Sequence, residues 1–227
     1  MILRVVPDGD EYDKDIALAI RYAVDNGANV INMSFGKDFS PQKSFVDDAY
    51  MYADTKNVLL VHASGNSGEN IDIKERYPTD KLINGEHTKC MLNVGATSKE
   101  LGLNLTGIFS NYGKIYVDLF APGVNIISLA PESKYSMANG TSFSSPVASG
   151  VAALVWSYYP ELTALELKDI LMNSTQKYKK TKVYYPGRGV KKRKKTKLSN
   201  ISVTGGIINA YNALKLADDF VKNKAVN

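Results

Sequence analysis

The 227 residues are 44% hydrophobic, which is enough to fill one sizeable core, and no run of 18 apolar residues indicates a membrane-spanning helix. The single cysteine, Cys90, excludes an internal disulfide framework, and we expect it to be a small core residue. The net charge of +5 has one source, because residues 177–197 contain eleven Lys or Arg and no acid, and the other 17 basic and 23 acidic residues sum to −6. We call residues 177–197 the basic segment.

The first 36 residues predict a strand, a helix and a second strand. Residues 1–7 are predicted to form a short strand. They lack the length and the cleavage site of a signal peptide. Residues 13–25 carry apolar side chains at helical spacing, and Gly27 stands where a glycine commonly ends a helix. Residues 29–34 form the next predicted strand, so this unit indicates a parallel sheet.

The same alternation continues. Ser40 and Pro41 are predicted to open a second helix, which leads into a strand at residues 58–63. The expected inner face of that helix comprises Phe45, Val46, Ala49, Tyr52 and Ala53. The fold class is therefore α/β, with three layers in which helices cover both faces of a mainly parallel β-sheet.

The rest of the chain is predicted to contain a loop at residues 70–88, a strand at 91–97, short strands and turns at 106–129, a capped helix from Thr163, a last helix at 207–216 and a polar tail at 217–227. Ligands in such sheets bind at the carboxyl ends of strands. Two of the strands end in Gly-containing turns, and we expect a site there.

Residues 139–146 read Asn-Gly-Thr-Ser-Phe-Ser-Ser-Pro and run into an apolar stretch that ends at Trp156. The pattern predicts a helix that begins near Ser142, has Pro146 in its first turn and is buried on every side. Backbone N–H groups and the dipole at such a start favour the oxyanion of an acyl-transfer reaction. The alternative is that Ser142 or Thr141 simply caps the helix.

Four further motifs accompany this one. They are Ser34-Phe35-Gly36, Ala63-Ser64-Gly65-Asn66, Ala121-Pro122-Gly123 and Gly205-Gly206-Ile207-Ile208-Asn209. In this order, with Gly140-Thr141-Ser142 before the last, they resemble the subtilisin-like serine proteases (subtilases), and the resemblance covers about residues 1–216.

The resemblance implies a serine endopeptidase that hydrolyses peptide bonds of a polypeptide substrate and is secreted or held in the cell envelope. Ser142 would be the nucleophile, and the Asn66 side chain with the Ser142 backbone N–H would form the oxyanion hole. The backbone of Ser34, Phe35 and Gly36 would pair with an extended substrate. Ala63, Ser64 and Gly65 would line the primary specificity pocket. The alternative for Asn66 is a turn residue that tolerates a left-handed backbone.

The sequence departs from the family at the other two members of the triad. We expect His62 to be a neutral core histidine and His87 to lie in a polar loop, and neither is in the family's His-Gly-Thr motif. Asp8 and Asp10 are expected in a turn and are not a convincing substitute for the triad aspartate. Val147 replaces a histidine found in many subtilases, at a position outside the triad.

Residues 1–216 are therefore predicted to be the C-terminal part of a catalytic domain, truncated at its N-terminus and inactive or nearly so alone. Its expected partners are the polypeptide substrate and the missing N-terminal part of the domain. The isolated chain is expected to self-associate through the open side of the sheet. No cofactor is needed; subtilases often bind structural Ca²⁺, but no dense carboxylate loop indicates a metal site here.

The basic segment has two interpretations. It is a patch for nucleic acid or another anionic surface, or it is a solvated, mobile loop, which we favour because no stacking pattern or DNA-binding motif accompanies it. Two alternative functions stay open beside the protease. One is a pseudo-protease that only binds peptides, and the other is a nucleic-acid-binding module that uses the basic segment.

Overall fold

The computed structural model describes residues 1–6 and 9–224, which form a central β-sheet between two helical layers. The helices are α1 (Asp13–Asp25), α2 (Lys43–Thr55), α3 (Thr141–Tyr158), α4 (Ala164–Asn173) and α5 (Ala210–Lys224), with one 3₁₀ turn at Leu198–Asn200. The strands are β1 (Val30–Met33), β2 (Leu59–Ala63), β3 (Met91–Thr97), β4 (Leu119–Pro122), β5 (Ile126–Ala130), β6 (Lys134–Ala138), β7 (Gln176–Lys177), β8 (Lys182–Tyr184), β9 (Lys195–Lys197) and β10 (Gly206–Ile207).

The central sheet has the strand order β1-β2-β3-β4-β10-β7. Neighbouring strands from β1 to β10 pair in parallel, and only β7 runs antiparallel. The pairs β5–β6 and β8–β9 form separate antiparallel hairpins. The predicted three-layer α/β class with a mainly parallel sheet is confirmed.

Strand β2 explains why helices must cover both faces of the sheet. All five of its residues are buried. Leu59 and Val61 belong to the core beneath α3, α4 and α5, whereas Leu60 belongs to the core beneath α1 and α2. Successive side chains of a strand point to opposite faces, so an apolar run on β2 requires an apolar layer on each side.

Several element predictions are confirmed. Helix α1 spans the predicted residues 13–25, and Gly27 follows it with φ +80°. Cys90 is a buried residue immediately before β3, and burial raises the pKa of its thiol to about 12. Thr163 caps α4 in the predicted capping box with Glu166.

The prediction for the start of α2 is wrong by two residues, since the helix begins at Lys43 with Gln42 as its N-cap. Ser40 and Pro41 lie before the helix, because the Asp13 carboxylate accepts hydrogen bonds from the Ser40 hydroxyl and the Gln42 N–H. The inner face also differs, since α2 is rotated relative to the expected pattern. Its buried residues are Val46, Asp47, Ala49, Tyr50 and Ala53, while Phe45 is exposed and Tyr52 is half-buried.

Predictions at both ends of the chain are also corrected. Residues 1–6 are not part of any described sheet, and Pro7 lies outside the described residues. The predicted tail is helical through Lys224, because α5 continues and buries Ala217; residues 225–227 lie outside the described residues. Within the described residues, no helix is long and apolar enough to cross a membrane.

Helix α3 is not buried on every side as predicted. Ala148, Ala152 and Val155 are fully buried against the sheet, but Pro146 and Gly150 on the opposite side are exposed. The helix packs on β1, β2, β3 and β4, and the described residues leave its outer side open. Strand β1 is likewise open, because β2 is its only neighbour among the described strands.

Gly123 allows β4 to approach the first turn of α3. A Cβ at this position would collide with the Ser144 hydroxyl and would lie 2.8 Å from both Ala96 Cβ and the Gly140 carbonyl oxygen. The Gly123 carbonyl in turn accepts a hydrogen bond of 2.9 Å from the Gly140 N–H. A glycine is therefore required for the start of α3 to lie where it does.

Gly123→Ala should lower the free energy of unfolding by about 1–3 kcal/mol, because the added methyl group overpacks this junction. Gly150→Ala is the matched control, since no atom lies within 4 Å of a Cβ there and alanine favours a helix by up to ~1 kcal/mol. Urea denaturation of both variants measures the difference. Equal stability of the Gly123→Ala variant and the unsubstituted chain would contradict the packing described here.

Candidate active site

A cavity of about 400 Å³ lies at the carboxyl ends of β1 and β2, beside the start of α3. The structure brings all of the predicted site residues into its lining. These are Ser34, Phe35, Gly36, Ala63, Ser64, Gly65, Asn66 and Ser142. The cavity is therefore where two parallel strands end and a helix begins, as expected for ligand sites in such sheets.

Ser142 is the second residue of α3. The N-cap is Gly140 and has no side-chain hydrogen bond, so the alternative that Thr141 or Ser142 caps the helix is wrong. The Ser142 backbone N–H and hydroxyl have no hydrogen-bond partner among the described residues. Both groups lie in the first turn, where unpaired N–H groups and the helix dipole favour negative charge.

Asn66 is oriented by Thr141. The Thr141 N–H and hydroxyl donate to Asn66 Oδ1 over 2.9 and 3.0 Å, and the same hydroxyl accepts from the Gly65 N–H at 3.1 Å. Because Oδ1 serves as the acceptor, Nδ2 remains as a free donor. A Cβ on Gly140 would lie 3.6 Å from that Nδ2, so the amide group is next to the residues that precede Ser142.

The alternative for Asn66, a left-handed turn residue, is wrong. The residue with positive φ in this turn is Gly65, at +102°, and Asn66 is not among the non-glycine residues with positive φ. A Cβ on Gly65 would also collide with the Asn111 side chain. The glycine supplies the turn, and the asparagine contributes its side chain.

Asn111 fixes this turn and was missed by the sequence analysis. Its Oδ1 accepts from the backbone N–H groups of Ser67 and Glu69 at 3.0 and 3.1 Å. Its Nδ2 donates to the Ser64 carbonyl at 2.9 Å, and its backbone N–H donates to the Gly65 carbonyl at 2.8 Å. Asn111 is fully buried and lies 45 residues beyond Asn66, in a segment predicted only as short strands and turns, so no local pattern indicates it.

A second set of hydrogen bonds ties β1 to α3. The Ser34 hydroxyl donates to the Ser142 carbonyl at 2.9 Å and accepts from Asn32 Nδ2 at 2.9 Å. The Ser145 hydroxyl donates to Asn32 Oδ1 at 2.6 Å. Ser34 thus holds the backbone of Ser142 through its side chain, and Asn32 was not anticipated because it is an ordinary polar residue within a strand.

Neither histidine is placed to act as a base for Ser142. His62 is buried, and its Nε2–H donates to the Phe35 carbonyl at 3.0 Å. Burial lowers its pKa to about 4, so it is neutral, which confirms the expectation of a core histidine. His87 lies in the polar loop, hydrogen-bonded to Asp80 at 3.1 Å and stacked on Tyr116.

The aspartates near the chain start do not supply the triad acid either. Asp10 is exposed and does not line the cavity, and Asp8 lies outside the described residues. Among the described residues, no carboxylate or imidazole is hydrogen-bonded to the Ser142 hydroxyl. The same part of the chain contains no group of three or more His, Cys, Asp or Glu that could hold a metal ion.

Charged side chains in the cavity were also missed. The Arg76 guanidinium forms ion pairs with Asp38 and Glu69, and its side chain is 16% exposed. Lys37 is buried and pairs with Asp13 at 2.7 Å. The cavity is therefore polar, with its cations paired to carboxylates of the same chain.

Comparison with known proteins agrees with this geometry. A model described as the subtilase family matches residues 1–204. Among curated proteins, the cell wall-associated protease of Bacillus subtilis (strain 168) is 40% identical over 158 residues, covering 70% of this chain and 16% of that protein. Subtilisin BL of Lederbergia lenta is 34% identical over 181 residues, covering 79% of this chain and 61% of that protein.

Solved structures show the same likeness. A structure of subtilase cytotoxin SubAB assembly has a TM-score of 0.73 and 27% identity, covering 95% of this chain and 68% of that chain. The crystal structure of a lanthipeptide protease has a TM-score of 0.72 and 25% identity, covering 94% of this chain and 69% of that chain. The chain belongs to the subtilase family, and it spans less than two thirds of either of these two curated relatives.

The buried His62 makes stability depend on pH. Its pKa is about 4 in the folded chain and 6.5 in the unfolded chain. As the pH falls below 6.5, His62 is therefore protonated in the unfolded chain but still neutral in the folded chain. Stability is therefore lost as the pH falls from 6.5 to 4. Between pH 7 and pH 5 the contribution amounts to about 2 kcal/mol.

Denaturation at both pH values should show a smaller acid loss in His62→Gln than in the unsubstituted chain. The quantity to compare is the difference in acid-induced loss between the variant and the unsubstituted chain. This is because burial raises the pKa of Asp118 to about 6, so this residue changes stability with pH in the opposite sense in both proteins. His87→Gln is the control, since that ring is about half exposed. The same pH dependence in His62→Gln would refute the assignment.

Proposed function

We propose that the protein of which this chain is part is a serine endopeptidase that hydrolyses peptide bonds in polypeptides. The observation that carries the proposal is the orientation of Asn66. Its Oδ1 is held by the Thr141 N–H and hydroxyl, which leaves Nδ2 as a donor. A Cβ on Gly140 would lie 3.6 Å from both this Nδ2 and the Ser142 backbone nitrogen, whose N–H has no partner among the described residues. Membership of the subtilase family supports the same reaction.

The proposed reaction begins with attack of the Ser142 hydroxyl oxygen on the carbon of the scissile carbonyl. The carbonyl oxygen becomes an oxyanion that accepts hydrogen bonds from Asn66 Nδ2 and the Ser142 N–H, with the dipole of α3 adding to its stabilisation. Collapse expels the amine and leaves an acyl ester on Ser142, which water then hydrolyses. These steps use no cofactor.

The proton of the Ser142 hydroxyl must pass to a base and then to the leaving amine. The described residues provide no such base, and we propose that a histidine with an orienting aspartate is supplied by another part of the catalytic domain. The open edge of β1 and the exposed side of α3 support docking of that part here. The chain's span of 61% or less of the two curated relatives supports it as well.

We assign the substrate's acyl side to the 400 Å³ cavity. The backbone of Ser34, Phe35 and Gly36 pairs with an extended peptide, and the turn from Ala63 to Gly65 lines the pocket for the residue before the scissile bond. The Phe35 carbonyl is already bonded to His62, so the remaining polar groups of Ser34 and Gly36 carry this role. The relative named cell wall-associated protease supports a secreted or envelope location.

A peptide-binding pseudo-protease is the second candidate function. The observation that favours it is the missing base beside Ser142 among the described residues. The two functions differ in whether Ser142 reacts. Labelling of the complete protein with a fluorophosphonate probe, lost in Ser142→Ala, supports the protease, whereas no labelling with retained peptide binding supports the pseudo-protease.

In the complete protein, Asn66→Leu should lower kcat far more than it raises KM, because the Nδ2 hydrogen bond forms chiefly in the transition state. The expected loss is about 10²–10³-fold, the range known for an oxyanion-hole donor in subtilisin itself. Thr141→Val, which removes the hydroxyl that orients Asn66, should lower kcat in the same direction but less. Thr141→Ser keeps that hydroxyl and is the matched control; an unchanged kcat in Asn66→Leu would remove the residue from the oxyanion hole.

Residues 1–227 alone should self-associate at micromolar concentration, because β1 has an unpaired edge and the outer side of α3 exposes Leu154 at 40%. Light scattering measures the mass. Leu154→Lys should weaken the association, and Leu165→Lys on α4, a residue exposed to 42%, should not. A monomer with a single cooperative melt would contradict the proposed open side.

A further inference from the structure

A second cavity, of about 710 Å³, opens on the other side of Asn66. Asn66 and Asn139 line it at the end nearest Ser142, and Phe109 and Ile108 line its apolar part. Arg188 and Arg193 of the basic segment complete the wall. We call this cavity the arginine cleft, and Asn66 forms a wall common to it and to the 400 Å³ cavity.

The basic segment contains a hairpin that is anchored beside the active site, while most of its lysines and arginines are exposed, as expected for a solvated segment. It forms the hairpin of β8 and β9, with Val183 fully buried between them and the body of the protein. The Tyr184 N–H donates to the Leu103 carbonyl at 2.8 Å, and the Gly187 N–H donates to the Ile108 carbonyl at 2.9 Å. These bonds hold Arg188 next to the turn that carries Asn66.

The tip of the segment is also in close contact with that turn. A Cβ on Gly68 would lie 2.7 Å from the Arg188 backbone nitrogen and 3.1 Å from Gly187 Cα. The Arg193 guanidinium lies over the Tyr184 ring, 4.8 Å from its centroid, which restricts its motion. The fold therefore positions the backbone of Arg188 and the side chain of Arg193.

The arginine cleft has a net positive charge, with two arginines against one acid in its lining. None of the eleven cations in the basic segment forms an ion pair with a carboxylate among the described residues. The only acid in the lining of the cleft, within the described part of the chain, is the exposed Glu100. A concave site lined by one sign of charge concentrates field lines and attracts the opposite charge.

The position of the cleft indicates which part of a substrate it meets. Under the proposed function, the 400 Å³ cavity holds the acyl side of the scissile bond. A peptide that passes Ser142 and Asn66 then continues into the arginine cleft. This cleft would therefore bind the residues on the leaving-group side of the scissile bond.

We propose that the basic segment selects polypeptides with acidic residues on the C-terminal side of the scissile bond. This inference rests on the proposed function and names its substrate class. Arg188 and Arg193 supply bidentate donors for Asp or Glu side chains, and the lysines of the hairpin add long-range attraction. A nucleic acid fits less well, because Arg193 already covers the face of Tyr184, and Tyr185 packs against Tyr112 with centroids 5.4 Å apart.

The test uses peptides with one common acyl side and three leaving-group sides that carry Glu, Gln or Lys at the first three positions. In the complete protein at low salt, kcat/KM should be about five- to tenfold higher for the Glu peptide than for the Gln peptide, and lowest for the Lys peptide. In the double variant Arg188→Gln/Arg193→Gln, the ratio of kcat/KM for the Glu peptide to that for the Gln peptide should fall to about one. The kcat/KM for the Gln peptide should not change. Lys191→Gln/Lys192→Gln changes the same charge on exposed residues outside the cleft lining and should keep most of the preference.

A binding measurement separates this inference from the proposed function. Fluorescence anisotropy of a labelled Glu hexapeptide with the complete protein should show salt-dependent binding that weakens in the arginine double variant, whether or not any peptide is hydrolysed. Hydrolysis without a preference for Glu, or binding equally weakened by both double variants, would overturn the inference. Tighter binding of a single-stranded oligonucleotide than of the Glu peptide would also overturn it.

Discussion

The hydrogen bond from the Thr141 N–H to Asn66 Oδ1 is the contact on which the candidate site depends. It joins the first residue of α3 to the turn after β2, which is 75 residues earlier in the chain. An amide has an acceptor end and a donor end, and this bond occupies the acceptor. It therefore leaves Nδ2, the donor end of the amide, for another partner, and the Thr141 hydroxyl fixes the same orientation a second time.

Several other features of the fold fix the position of the start of α3 relative to the turn after β2. Gly123 lets β4 touch the start of α3, and Asn111 determines the path of the turn that carries Asn66. The apolar run of β2 is buried on both faces, so the strand cannot slide without exposing a core. Preorganised donors need such rigidity, because reorganisation during the reaction would remove their advantage.

The sequence was sufficient to predict the elements with strong periodicity, and the residues of its compact motifs, such as Ser142 and Asn66, line one cavity as expected. It was not sufficient for partners that are close only in space. Asn111 and Asn32 carry no local pattern. Each strand of the hairpin in the basic segment has only one buried residue, which is too weak an apolar pattern to predict a strand among so many charges. The exposed side of α3 was missed because its residues are small or apolar whether or not anything covers them.

Strand β1 and the residue that follows it, Ser34, take part in two kinds of contact. Its outer edge is free for another strand, while Asn32 and Ser34 hold the first turns of α3. By linkage, any polypeptide that binds this edge more tightly when β1 is well ordered must also favour the ordered position of the Ser142 backbone. Binding at the edge of β1 and order at the start of α3 are then one equilibrium.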